Sequence, residues 1–382
     1  MLEVLYIMEF KRFGDIVSIK KGKKIEQVEK ENNTIRYIQI DDLRNDNNLK
    51  YCNKDDSYIT VNEKDIVIAW DGANAGTVGY GLNGAIGSTL AKLEINDTEF
   101  NTIYCALFLR SKFYYLREKC TGATIPHLSR SSLEDLKLPK LNIDTQNKIV
   151  EILDKSQELI DKRKEQMELL DELIQSKFIE MFGNPVTNPK RWEKDKLSNK
   201  CNIITGNTPS RKVTNYYGNY IEWIKSDNIS NSNVYLSKAK EYLSEEGAKV
   251  GRIIEKNNIL MTCIAGSKKC IGNVAINNRD VAFNQQINGI EVLKNNVYFM
   301  FHQFLLSQDY IQSTINMSLK GILSKGQLSE LEFIFPPIEL QEEFAVFVEK
   351  VNDIKIVLNK SLEQLNDNFD SLMQKAFKGE LF

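Results

Sequence analysis

"LSRSSLEDLKLPKLNIDTQNKIVEIL" runs from Leu128 to Leu153, and "LSKGQLSELEFIFPPIELQEEFAVFV" runs from Leu323 to Val348. The second passage repeats the first 195 residues later. Six positions are identical at that offset: Leu128/Leu323, Ser129/Ser324, Leu133/Leu328, Leu136/Leu331, Ile143/Ile338 and Gln146/Gln341. The offset holds further along, where Asp154-Lys155 faces Glu349-Lys350, Ser176 faces Ser371 and Phe182 faces Phe377. A spacing kept over that distance marks an internal duplication, and the architecture is read from it.

Beyond the repeated passage the pattern becomes helical. Steps of four and three give Ile149, Leu153, Ser156, Ile160, Arg163, Met167, Leu170, Ile174, Lys177 and Met181, of which seven are apolar. The same positions in the second copy are Phe344, Val348, Val351, Lys355, Leu358, Leu362, Leu365, Phe369, Leu372 and Ala376, of which nine are apolar. This is a 3.5-residue seam written twice, with no Pro or Gly inside either stretch. Asp144 offers a cap at the first start. Gly183 with Pro185 ends the first helix, and Gly379 lies just past the second. Two phase-matched seams predict two helices of about 55 Å that pair with each other, the other reading being two amphipathic helices in an ordinary bundle.

The segments before the helices differ in kind. Residues 10–143 and 190–338 carry short apolar runs between Asn- and Gly-rich turns, as mixed α/β or mostly β domains do. "DIVIAW" (65–70) and "NILMTCI" (258–264) read as buried strands, followed by strands in "TVGYG" (77–81) and "CIGNVAI" (270–276). Landmarks recur in order. "IKKGK" (19–23) answers "IITGN" (203–207), "RYIQIDDL" (36–43) answers "EWIKSDNI" (222–229), and residues 64–79 answer residues 257–272. The fold class is mixed α/β (α+β): two pseudo-symmetric domains, each followed by a long helix, the helices forming an antiparallel coiled-coil spacer. The domains are then expected at opposite ends of a rod, so that the chain imitates a homodimer.

Composition bounds the function. A chain of 382 residues is long enough for two or three domains. The net charge of -2 makes any nucleic-acid surface a local one. Six Cys are scattered without a CxxC, which fits free thiols in a reducing cytosol better than a zinc site. No apolar run approaches the roughly 18 residues that cross a bilayer. The first residues, with Met8 as a second candidate start, lack the pattern of a secretion signal. The expected location is cytoplasmic.

The ordered set resembles the specificity subunit of type I restriction–modification systems along the whole chain. "GATIPHLSRSSLEDLKLPKL" followed by "DTQNKIVEILD" is similar to that family's junction of domain and spacer, and "GILSKGQLSELEFIFPPIELQEEF" is its second copy. "DGANAG" (71–76) and "FNQQINGI" (283–290) are similar to landmarks inside its recognition domains. One departure is Pro139, alone and two residues nearer its Leu-Ser pair than Pro336-Pro337 are to theirs. The resemblance implies target recognition domains at 1–143 and 184–338 and spacer helices at 144–183 and 339–382. It implies that the chain reads a bipartite, asymmetric double-stranded DNA target and docks two modification subunits, which methylate adenine, and restriction subunits. S-adenosylmethionine, ATP and Mg2+ belong on those partners, and no cofactor on this chain.

The residues carry no pattern for chemistry of their own. "FPPI" (335–338) lacks the polar residue and the aromatic that would flank the prolines of an adenine-gripping loop. No P-loop or GxGxxG occurs. His127 and His302 are the only histidines, and His127 reads as a turn residue or a DNA contact. Phosphate and base contacts call for Lys, Arg, Asn and Gln in loops. The candidates are Lys20, Lys23, Lys24, Arg36, Gln39, Asn74, Lys225, Lys268, Lys269, Asn284 and Gln285, with Arg130 and Lys325 after the repeated Leu-Ser. Each is otherwise a solvated charge or a turn former, and Trp70 is otherwise core. The rival readings are a protein-interaction scaffold with two binding modules on a coiled coil, and a stand-alone methyltransferase or nuclease.

Overall fold

The computed structural model describes residues 9–122, 124–231, 233–315 and 321–381; Met8 lies outside them. The chain divides into two compact units, residues 1–164 with 360–382, and residues 165–359.

In the first unit one antiparallel sheet orders Val17–Lys21, Leu90–Ile95, Ile66–Ala69 and Val78–Tyr80. The central run Ile66-Val67-Ile68 is β-branched and buried on both faces, as an inner strand demands. A second sheet orders Lys50–Asn53, Thr34–Ile38, Gly84–Ile86 and Thr60–Val61, with Thr34–Ile38 parallel to Gly84–Ile86. The helix Thr102–Ser111 is capped by Asn101, whose side chain accepts from the amides of Ile103 and Tyr104. A ribbon of Phe10–Arg12 and Lys137–Pro139 brings both ends of the domain together.

The second unit repeats this strand for strand. Its antiparallel sheet orders Cys201–Thr205, Ile287–Val292, Asn258–Thr262 and Val274–Asn277. Its mixed sheet orders Tyr242–Leu243, Tyr217–Ile224, Val281–Phe283 and Ile253–Ile254, with Tyr217–Ile224 parallel to Val281–Phe283. The ribbon is Lys194–Lys196 with Glu332–Ile334. The helix Val297–Leu306 is capped by Asn296. Register corrects one landmark of the sequence alignment. Ile68 faces Val78 and Met261 faces Val274. Gly76 N–H donates to Ala69 O and Gly272 N–H donates to Thr262 O, both glycines having positive φ. Gly272 therefore answers Gly76 and not Gly79. The loop between these strands is longer in the second copy, and an extra 3-10 turn, Lys268–Cys270, lies in it.

The long helices are Ile143–Phe182, of 40 residues, and Ile338–Lys378, of 41. All twenty seam positions are buried or half-buried. In the first unit Ile149, Val150 and Leu153 share a core with Met373, Ala376 and Phe377. In the second, Ile174, Phe178 and Phe182 share a core with Phe344, Val348 and Val351. The start of each helix thus packs with the end of the other, which is antiparallel pairing. Seam residue Lys355 is neutralised by Asp171 at 2.6 Å. The first cap is Asn142, whose Oδ1 accepts from Thr145 N–H at 2.8 Å, in place of the expected Asp144. Asp144 lies inside the first turn, where its charge favours the helix N-terminus.

The repeated Gln has a structural role in both copies. Gln146 and Gln341 are buried. Gln146 Oε1 accepts from the cap amide of Asn101 at 2.8 Å, and Gln341 Oε1 from that of Asn296 at 2.9 Å. Gln146 Nε2 donates to the carbonyls of Glu99 and Leu141. Gln341 Nε2 donates to Asn295 Oδ1 and Pro336 O. One carboxamide thereby ties each domain's capped helix to the start of the long helix that follows.

Candidate nucleic-acid interface

In each unit several chain segments converge on one turn. In the first it is Gly87-Ser88-Thr89, between the strands Gly84–Ile86 and Leu90–Ile95. Gly87 N–H donates to Ile38 O, Gly22 N–H to Leu90 O, and the amides of Trp70 and Asp71 to Thr89 O. Leu128 N–H then donates to Trp70 O at 2.8 Å. In the second unit the turn is Asn284-Gln285-Gln286. Asn284 N–H donates to Ile224 O, Gly206 N–H to Ile287 O, and the amides of Cys263 and Ile264 to Gln286 O. Leu323 N–H donates to Cys263 O at 2.9 Å. The close approach explains the repeated glycine. A Cβ on Gly22 would lie 2.3 Å from Gly87 O, and one on Gly206 would lie 2.2 Å from Asn284 O. The repeated Leu-Ser completes the arrangement. Leu128 and Leu323 are buried, while Ser129 and Ser324 cap the short helices Arg130–Glu134 and Lys325–Glu330.

Backbone is shared between the two edges; side-chain chemistry is not. In the first unit Asp71 accepts from Lys21 Nζ at 2.6 Å and lies 2.6 Å from His127 Nδ1. Burial pushes the Asp71 carboxyl up, but the hydrogen bonds and charges of Lys21 and His127 outweigh it and hold it below the ordinary range. At the equivalent places the second unit has Ile264 and Ile322, paired in a bridge. Gln39 Oε1 accepts from Lys50 Nζ at 2.6 Å. The corresponding pair in the second unit is Lys225 with Glu241, so the cation has exchanged strands. Hydrogen bonds from Lys225 lower the Glu241 carboxyl, burial opposes them, and Arg211 adds to the lowering. Arg211 stacks over Tyr217 at 4.3 Å and Trp223 at 5.2 Å.

The sequence candidates fall into three groups. Lys23, Lys24, Lys268, Lys269, Gln285 and Lys325 are exposed around the converging segments. Lys20, Gln39, Asn74, Arg130 and Lys225 also lie there but have internal partners: Glu94, Lys50, Arg44, Glu134 and Glu241 respectively. Arg36 and Asn284 are turned inward. Arg36 donates to both Asp42 and Asp46 with its side chain 18% exposed, and Asn284 is buried. Sequence reading passed over Lys21, Thr208, Arg211 and Gln286. Lys21 stood in the same basic run as Lys20 and Lys23, but its pairing with Asp71 is visible only across strands.

Among the described residues no group of three His, Cys, Asp or Glu side chains stands together as metal ligands. Burial pushes the thiols of Cys105, Cys201 and Cys263 up to about 12, far from a reactive thiolate. Among the described residues no helix is long and apolar enough to cross a membrane.

Comparison with known proteins gives a consistent set of matches. The type I restriction modification DNA specificity domain matches twice, at residues 7–169 and 189–366. The specificity subunit of type I restriction enzyme MjaVIII of Methanocaldococcus jannaschii is 23% identical, over 98% of this chain and 92% of its own. The EcoBI specificity subunit of Escherichia coli is 23% identical, over 84% of this chain and 74% of its own. The crystal structure of the S subunit from M. genitalium superposes with a TM-score of 0.56 at 16% identity, over 98% of both chains. A chain from work on complex assembly and conformational transition of the type I R-M system gives 0.61 at 14% identity, over the full length of both.

Proposed function

The chain belongs to the type I restriction–modification DNA specificity family, and on that premise we propose that it is the DNA-reading subunit of such a complex. Its two domains each read one half of a bipartite, asymmetric double-stranded target. The observation that carries this reading is the pair of equivalent edges. One backbone frame is held by equivalent hydrogen bonds at 87–89 and 284–286, while its side chains differ in charge and hydrogen-bonding type. A shared frame with diverged side chains is what two readers of different half-sites require, because base edges are distinguished by donor and acceptor pattern. Exposed Lys23, Lys24, Lys268, Lys269 and Lys325 supply phosphate contacts, which hold the register without reading sequence.

The chain itself performs no bond chemistry in this reading. The modification subunits it docks hold S-adenosylmethionine and methylate an adenine turned out of the stack. The restriction subunits hold ATP and Mg2+. The work of this chain is to bind, to set the spacing of the half-sites and to present them to its partners.

The test is co-expression with the neighbouring modification subunit and a map of methylated adenines across the host DNA. One bipartite motif with a fixed non-specific gap is expected, and exchange of residues 190–338 should alter only one half of it. An active modification subunit whose methylation does not depend on this chain would overturn the proposal and leave the protein-scaffold reading.

A further inference from the structure

The two converging turns differ most at their tips. The first unit presents Gly87-Ser88-Thr89, small residues whose hydroxyls both donate and accept. The second presents Asn284-Gln285-Gln286 on the same hydrogen-bonded frame. Asn284 is buried and acts as a brace: its Oδ1 accepts from Gln286 N–H at 3.0 Å, and its Nδ2 donates to Gln286 Oε1 at 3.1 Å. Ser226 Oγ donates to the same Gln286 oxygen at 3.4 Å. Gln285 is exposed, and its Oε1 accepts from the hydroxyl of Thr208. Both carboxamide oxygens are therefore engaged within the domain. Among the described residues neither Nε2 has an acceptor. The nearby cation Lys225 is held by Glu241. The tip of the second domain thus offers N–H donors from two adjacent residues, with both carboxamide oxygens hydrogen-bonded within the domain.

A donor-only array discriminates among base edges. In the major groove adenine offers an acceptor beside a donor, cytosine offers a donor, and thymine offers a single acceptor beside a methyl group. Guanine offers two neighbouring acceptors, N7 and O6. A glutamine with its oxygen free would pair with adenine through both ends. Here Asn284 and Ser226 occupy both lone pairs of the Gln286 oxygen, and Thr208 occupies one of the two on Gln285. Resting on the DNA-reading function proposed above, we infer that Gln285 and Gln286 are specificity-determining residues of the second domain, and that the base they select is a guanine. The first domain, with its hydroxyls and its Lys21–Asp71–His127 cluster, reads its half by different chemistry.

The experiment uses the whole chain co-expressed with its modification subunit. Gln285→Ser and Gln286→Thr are introduced together. They place the residues of the first turn on the equivalent frame; the bond from the amide of residue 286 to Asn284 Oδ1 is kept, while Asn284 Nδ2 and Ser226 Oγ lose their carboxamide acceptor. Methylated adenines are then mapped for wild type and variant. The expected result is an unchanged first half-site, which also reports that the complex is folded. The other half should relax at one G·C pair, with discrimination there falling roughly tenfold or more. An unchanged motif overturns the assignment of these residues. Relaxation at an A·T pair overturns the choice of guanine. Failure of the underlying reading looks different, because the wild-type complex would then give no motif that depends on this chain.

Discussion

The substitution Gln341→Glu tests whether the repeated glutamine is a buried tie between domain and spacer. The side chains have nearly the same shape, so packing is preserved and only hydrogen bonding changes. The acceptor for Asn296 N–H remains. The two donor contacts of Nε2, at 3.1 Å to Asn295 Oδ1 and 2.8 Å to Pro336 O, become oxygen facing oxygen. Leaving buried polar groups unpaired costs about 1–3 kcal/mol each, so about 2–6 kcal/mol is expected for the two at neutral pH. A carboxyl in this setting is stabilised when protonated, because its O–H can donate to one of the two oxygens. Its folded pKa is therefore raised above the unfolded value of about 4.3. That contribution is present below pH ~4.3 and is lost as pH rises, at about 1.4 kcal/mol per pH unit until the folded pKa is reached. Urea unfolding followed by tryptophan fluorescence, in a Trp70→Phe background that removes the first unit's tryptophan, reports on the second unit through Trp192 and Trp223. Measured at pH 5 and pH 7.5 and compared with wild type, the variant should be markedly less stable at the higher pH. Gln341→Met, which lacks the charge, should lose stability about equally at both. A glutamate variant within about 0.5 kcal/mol of wild type at pH 7.5, or a loss that does not depend on pH, would refute the reasoning.

Two further outcomes follow from named side chains. His302 is buried among Phe301 and Phe344, neither ring nitrogen has a partner among the described residues, and burial lowers its pKa to about 3. Its unfolded value is near 6.5. The stability it confers as a neutral ring is complete above pH ~6.5 and is lost as pH falls toward the folded value. His302→Leu, the residue at the equivalent Leu107, should flatten the fall of second-unit stability with acid, measured as the urea midpoint from pH 7.5 to 5. Lys325 is exposed with no side-chain partner among the described residues, whereas Arg130 is paired with Glu134. Lys325→Ala should weaken DNA binding by the assembled complex without altering its motif, and reduce the slope of log affinity against log salt by about one.

What was legible in the sequence was local or repeated. The two seams, the strands around Ile66 and Ile259, and the duplicated Leu-Ser passage all announce themselves by short periods or by recurrence, which survive without knowledge of partners. Gln146 and Gln341 were visible as a match but not as a tie, because their partners lie 45 residues away along the chain. Arg36 and Lys225 read as free cations until the pairing of strands set Asp42, Asp46 and Glu241 against them. Asp144 was read as the cap; Asn142 serves as well by residue type, and the helix start at Ile143 puts it there. The match of Gly272 to Gly76 likewise waited for strand register. The sequence by itself determined that the chain is a doubled domain-and-helix unit, because amphipathic periods and a duplicated order are written in one dimension. Tertiary structure decided which side chains stand on the shared turn and which are neutralised beneath it, because hydrogen bonds and ion pairs between distant strands depend on register, which no local pattern encodes.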